Sequence, residues 1–160
     1  MAGFAPQDSD DAPVPGARLL VVAARFNAKT VALLSKGALA AAARLGATAT
    51  VIEVPGALEI ATAAAIALDA AERAGSPYDG LVALGCVIRG ETYHFEIVSN
   101  ESSRALTDLS VARRLPLGNG ILTVENSIQA VERADPKHGD KGADAALAAL
   151  SLIRLKRSLV

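Results

Sequence analysis

The sequence predicts an α/β protein whose parallel sheet is covered by helices on both faces. Three observations carry this. Residues 19–24 and 80–88 are apolar runs without alternation, the pattern of strands buried on both sides. Between them, residues 28–45 and 57–74 are rich in Ala and Leu and long enough for helices. Each of these stretches ends on a helix stop, Gly46 in one case and Gly75-Ser76-Pro77 in the other. Strand and helix in alternation require crossovers, and crossovers lead to parallel pairing. At 160 residues the chain suits a single domain with a sizeable core. We expect a flexible N-terminal arm over 1–16, where Pro6, Pro13 and Pro15 accompany several aspartates, and one domain over 17–160.

The elements follow in order. Strand one is 19–24 and helix one 28–45. Strand two is 49–54, and helix two runs from Ala57 to the stop at Gly75. Strand three occupies 80–88 and breaks at Gly90, where a glycine permits a tight turn. Helix three is predicted over 95–114 with Thr92 as its cap. Pro116-Leu117-Gly118 reads as a turn into strand four at 120–124. Asn126, with Gln129 three residues on, predicts a capping box for a short helix ending near Arg133. A loop over 134–139 leads to the last helix, 141–157.

The functional signal is concentrated at residues 84–96, LGCVIRGETYHFE. A strand, a glycine turn and a helix start leave backbone amides and a helix dipole facing outward, which suits an anion and phosphate above all. His94, one of two histidines, stands at that start and can carry protons near neutral pH. Ligands of open parallel sheets sit beyond the carboxyl ends of the strands. This chain places Phe26 and Asn27, the stretch 56–59, and the stretch 90–94 there.

Other functions are excluded by composition and pattern. A net charge of −1 gives no electrostatic case for nucleic acid or an anionic membrane. No apolar stretch approaches the length of a membrane span. Asp8, Asp10 and Asp11 stand where a secretory signal would be apolar, so a cytoplasmic protein is expected. The turn after strand one lacks the glycine-rich dinucleotide fingerprint and a phosphate loop, and no Cys/His cluster has metal-ligand spacing. Neither a cofactor nor a metal is expected. The one cysteine, Cys86, reads as a buried thiol rather than a nucleophile.

The stretch Gly90-Glu91-Thr92-Tyr93-His94-Phe95-Glu96 resembles the most distinctive string of the lumazine synthase family. Matching pieces lie in order along the chain: Arg25-Phe26-Asn27, Val54-Pro55-Gly56-Ala57-Leu58-Glu59, Asn119-Gly120-Ile121-Leu122-Thr123-Val124-Glu125-Asn126 and Asp140-Lys141-Gly142. The resemblance implies a flavodoxin-like three-layer α/β/α sandwich with a four-stranded parallel sheet in the order 2-1-3-4. It implies condensation of 5-amino-6-(ribitylamino)uracil with 3,4-dihydroxy-2-butanone 4-phosphate to a lumazine, in riboflavin biosynthesis. By the same resemblance His94 moves protons. Phe26, with Asn27 beside it, faces the pyrimidine, and Ala57, Leu58 and Glu59 hold the ribityl chain. Val87 and Ile88 offer backbone groups to the ring. Gly90, Glu91 and Thr92 cradle phosphate through their amides, and Arg133 pairs with it.

Several of these residues keep a second reading. Phe26 could be core, Glu59 an ordinary first-turn acid, and Arg133 a solvated helix-end charge. Lys141 is either a surface lysine or a further electrostatic contact. The family more often carries an aromatic where this chain has Asn119, so the second wall of the pocket stays open. Asn119 precedes the predicted strand four, at the edge of the sheet opposite His94. If both serve one site, that site lies between subunits. The resemblance implies the same, a homo-oligomer built on pentamers with Asn119 and Arg133 supplied by the neighbour. A related riboflavin synthase and a non-enzymatic lumazine binder are the alternatives. The phosphate cradle argues against the first and His94 against the second.

Overall fold

The structure is a computed structural model that describes residues 11–160. The elements are β1 (Arg18–Ala24), α1 (Ala28–Arg44), β2 (Thr48–Val54), α2 (Ile60–Arg73), β3 (Gly80–Ile88), α3 (His94–Arg113), β4 (Leu117–Val124), α4 (Ser127–Ala134) and α5 (Lys141–Ser158). A single 3-10 turn, Ala57–Glu59, leads into α2. All neighbouring strands are parallel, in the order β2-β1-β3-β4. The fold is therefore the three-layer α/β/α sandwich expected.

Alternate residues of β1 and β3 feed two separate cores, as the period of a strand requires. Leu19, Val21, Val82 and Leu84 pack with α1, α4 and α5 on one face. Leu20, Val22, Leu81 and Ala83 pack with α2 and α3 on the other. Leu19, Leu20, Leu81 and Leu84 are almost fully enclosed, which is why both central strands read as unbroken apolar runs. Small residues let α1 and α5 approach closely. A Cβ on Gly142 would lie 1.9 Å from the carbonyl oxygen of Leu34.

Four local expectations need correction. Strand four begins at Leu117, opposite Leu81, and not at Gly120. Gly118 reads as part of a turn, yet it serves contact with α5. A Cβ on Gly118 would sit 1.8 Å from the Ala145 carbonyl oxygen. Asn119 therefore lies inside the strand, paired with Ala83. Helix three begins at His94, and Tyr93 rather than Thr92 is the flanking residue, already helical at φ −62. The box at α4 is half reciprocal. Asn126 accepts from Gln129 N at 2.9 Å, while Gln129 Oε1 accepts from Glu125 N instead of Asn126 N.

Residues 1–10 of the expected arm lie outside the described residues. Residues 11–16 lie against the body. Val14 is buried and donates its N–H to Leu45 O at 2.8 Å. Arg157 donates to Pro15 O, and Arg44 pairs with Asp11 at 2.8 Å.

Candidate active site

The strand register opens a fork at the carboxyl edge of the sheet. β1 stays with β2 through Ala24↔Val54, and the pairing continues past it: Arg25 N donates to Val54 O at 2.8 Å and Phe26 N to Pro55 O at 3.1 Å. Its pairing with β3, by contrast, ends at Ala23↔Leu84, while β3 and β4 run on together to Ile88↔Val124. Beyond Ala23 the sheet divides into two ribbons, and a cleft of about 460 Å³ lies there. Chain connections leave in opposite directions from β1 and β3, so the fork is the topological switch point, where ligands of such sheets bind.

The β1–β2 side presents an apolar ring and a carboxylate. Phe26 is 70% exposed, which removes the core reading. Its ring lies over Gly56, where a Cβ would meet Phe26 Cδ2 at 3.1 Å and Glu59 Oε2 at 3.2 Å. Glu59 Oε2 accepts from Gly56 N at 2.9 Å, closing the 3-10 turn and fixing the carboxylate on the cleft wall. Ala57 is buried and Leu58 half exposed. Asn27 has φ 58, the left-handed region that Asn tolerates better than most residues. Its side-chain amide donates to Cys86 O at 2.8 Å, bridging the fork where no β1–β3 ladder bond exists.

The β3–α3 side presents backbone and a histidine. Val87 and Ile88 line the floor, half buried. Past Arg89 the chain leaves the sheet. Among the described residues, the amides of Gly90, Glu91 and Thr92 find no acceptor within the chain. Gly90 does not adopt a positive φ, and a Cβ on it would meet nothing within 4 Å. Nothing inside the subunit requires glycine there, so close approach from outside is the remaining physical use for it. His94 is exposed and lines the cleft, and its N–H makes a long contact of 3.4 Å with Thr92 Oγ1. The free amides and the dipole of a 20-residue helix point the same way. The site can thus stack a planar ring, hold hydroxyls on a carboxylate, attract an anion and move protons. Burial pushes the Cys86 thiol up to about 11, so the thiolate is absent at neutral pH.

The model of the 6,7-dimethyl-8-ribityllumazine synthase family matches residues 16–157. The chain belongs to this family. It is 59% identical over 150 residues to 6,7-dimethyl-8-ribityllumazine synthase 1 of Rhodopseudomonas palustris, covering 94% of this chain and 92% of that one. It is 62% identical over 145 residues to the 6,7-dimethyl-8-ribityllumazine synthase of Azorhizobium caulinodans, with 91% and 90% covered. The enzyme of that name from Agrobacterium fabrum is 60% identical over 141 residues, covering 88% and 95%. The lumazine synthase match contains every residue of the fork, and it makes the chain an enzyme of riboflavin biosynthesis.

Six residues that the lumazine synthase resemblance singled out do not line the cleft: Gly90, Glu91 and Thr92 lie between its lining residues Ile88 and His94 in the chain, and Asn119, Arg133 and Lys141 stand on other elements. Asn119 lies opposite Ala83 in β4, roughly 16 Å back from Val124 at ~3.3 Å per residue. Its side chain meets Ser103 on α3 and accepts from Ile121 N at 3.0 Å. Arg133 is exposed on α4, donating to Gln129 O at 3.2 Å. Lys141 opens α5 and pairs with Asp144 at 2.7 Å. The cleft wall also includes Ala24, Cys86 and Val98, which sequence reasoning did not assign to it. Val98 had a signal, since it follows His94 by four residues and shares its helix face. Among the described residues, no helix is long and apolar enough to cross a membrane, and no group of three or more His, Cys, Asp or Glu could hold a metal ion.

Proposed function

We propose that the chain condenses 5-amino-6-(ribitylamino)uracil with 3,4-dihydroxy-2-butanone 4-phosphate, giving 6,7-dimethyl-8-ribityllumazine, phosphate and water. The observation that carries this reading is the fork itself, with Phe26, Glu59 and His94 on one cleft inside a full-length family match. Phe26 stacks on the pyrimidine. The stretch 57–59 holds the ribityl chain, and Val87 and Ile88 meet the ring through their backbone. The amides of Gly90, Glu91 and Thr92 take the phosphate. The substrate amine attacks the ketone and forms an imine with loss of one water, phosphate leaves by elimination, and the ring closes with loss of a second water. Holding the two substrates together supplies most of the acceleration. His94 relays protons for about 10²-fold more.

The active unit in this reading is a cyclic homopentamer in the cytoplasm. Each site joins the fork of one subunit to Asn119, Arg133 and Lys141 of its neighbour. Two features support the shared site. Those three residues do not line the cleft of their own chain, and apolar side chains stand uncovered on the single chain. Ile128 and Val131 on α4 are 77% and 44% exposed, on the helix that carries Arg133. The loop at 134–139 is short, which permits assembly of pentamers into a 60-subunit shell. The prolines of the N-terminal stretch favour a free pentamer, because proline cannot donate to an added edge strand. Mixing the purified protein with both substrates and following lumazine absorbance tests the reaction. Light scattering at micromolar protein tests the assembly. An absence of lumazine refutes the first, and a fully active monomer refutes the second.

A further inference from the structure

Arg89 lies outside the cleft wall, yet three elements meet on it. Its N–H donates to Val124 O at 2.9 Å, carrying the β3–β4 pairing one residue past Ile88. Its Nε donates to Glu125 Oε2 at 2.8 Å, at the end of β4. Its terminal nitrogen pairs with Glu96 in the first turn of α3. The guanidinium carbon lies 4.2 Å from the centroid of the Phe95 ring. One side chain therefore ties the ends of two strands to the first turn of a helix.

The segment enclosed by this clamp is 90–94, the amide cradle and His94. It has little else to hold it, since the amides of Gly90, Glu91 and Thr92 have no acceptor among the described residues and the Thr92–His94 contact is 3.4 Å long. One guanidinium between two carboxylates leaves the cluster with a net negative charge, so Arg89 is not there to attract phosphate. The planar fork of arginine can bond two carboxylates in fixed directions, which an ammonium cannot. Glu96 is held below the usual carboxylate range by the Arg89 hydrogen bond, and the guanidinium is raised by the same contact.

We propose that Arg89 is a positioning residue, which fixes the 90–92 amides and His94 for the phosphorylated substrate by clamping the start of α3 to the ends of β3 and β4. The proposal rests on the reaction proposed above. A surface ion pair in the ordinary sense would be worth little to stability, and this one is partly exposed at all three side chains. Its consequence should therefore appear in substrate handling and hardly at all in melting temperature.

The test compares Arg89→Met, Glu125→Gln and the double variant with the wild type. For Arg89→Met we expect the KM for the butanone phosphate to rise about tenfold while that for the pyrimidine stays within about twofold. The pyrimidine meets Phe26 and 57–59 beside β1 and β2, and Val87 and Ile88 are held by the β3–β4 ladder itself, so none of these contacts hangs on the Arg89 side chain. The double variant should lose no more than Arg89→Met alone, because both changes break one network. Hydrogen exchange should accelerate about tenfold in Arg89→Met at the bonded amides that flank the segment, Arg89 on Val124 O and Glu96 and Ile97 on Tyr93 O, and nowhere else. Equal rises in both KM values, additive losses, or unchanged exchange at those three amides would each overturn the clamp. A wild type that makes no lumazine would refute the reaction but not the clamp, which the exchange measurement tests by itself.

Discussion

The two sides of the fork are built by opposite means. On the β1–β2 side the backbone is bonded through: Arg25 to Val54, Phe26 to Pro55, and Gly56 to the Glu59 side chain. On the β3–α3 side the amides at 90–92 have no acceptors among the described residues, and one arginine holds the segment from outside. The first side is a finished surface, suited to a flat ring that needs shape more than charge. The second is electrostatically open, suited to an anion that brings its own acceptors. In the proposed reaction this difference gives each of two unlike substrates a wall of its own chemistry.

This contrast predicts separable defects. The largest concerns His94, the proposed proton relay. His94→Ala should lower turnover about tenfold to a thousandfold without abolishing it, because positioning survives. Steady-state kinetics at saturating substrates read this, and an unchanged kcat would return His94 to a plain helix-start residue. Arg133→Ala should come next, acting only on the anion side. Its KM for the butanone phosphate should rise roughly tenfold to a hundredfold, the worth of a charge-assisted bond of ~1.5–3 kcal/mol. Inorganic phosphate should compete with that substrate and not with the pyrimidine. Equal loss toward both substrates would blur the two walls into one.

Smaller effects probe the finished side. Phe26→Ala should weaken pyrimidine binding by ~1–3 kcal/mol, measured by calorimetry, and leave phosphate competition intact. Gly56→Ala should act in the same direction but only a few-fold, since its Cβ would press Phe26 at 3.1 Å and Glu59 at 3.2 Å together. Cys86 should matter least. Its thiol is raised from 9.0 to about 11, so the unfolded chain ionises first as pH climbs. The contribution of the neutral thiol is intact below pH 9.0 and is lost towards about 11. Cys86→Ala should flatten that part of a stability–pH curve and leave the activity profile near neutrality unmoved.

The sequence made the sheet and the open side of the site legible for a physical reason. Central strands buried on both faces must be apolar throughout, and a glycine turn before a helix exposes amides whatever surrounds it. What it hid were uses of a residue that depend on a distant neighbour. Gly118 reads as part of a turn, yet it sits in β4, where α5 crosses over it. Asn27 was taken for a substrate contact, and its amide proves to bridge to Cys86 O across the fork. Arg89 has no signal in the sequence, since its partner Glu125 is brought to it only by the β3–β4 register and Glu96 by the turn into α3. Thr92 was taken for a cap because hydroxyls commonly cap, but Tyr93 already has helical geometry.

The central claim is that each site joins the fork of one subunit to Arg133 of another. Subunit complementation tests it most directly. His94→Ala and Arg133→Ala proteins are unfolded together, co-refolded at equal concentration, and assayed at a butanone phosphate level well below the Arg133→Ala KM. A ring of mixed subunits should regenerate intact sites at about a quarter of its interfaces, where an unmodified His94 meets an unmodified Arg133. Activity should then exceed the mean of the two variants refolded separately by that fraction of the wild-type rate. Activity equal to that mean would place both groups in one subunit and contradict the shared site.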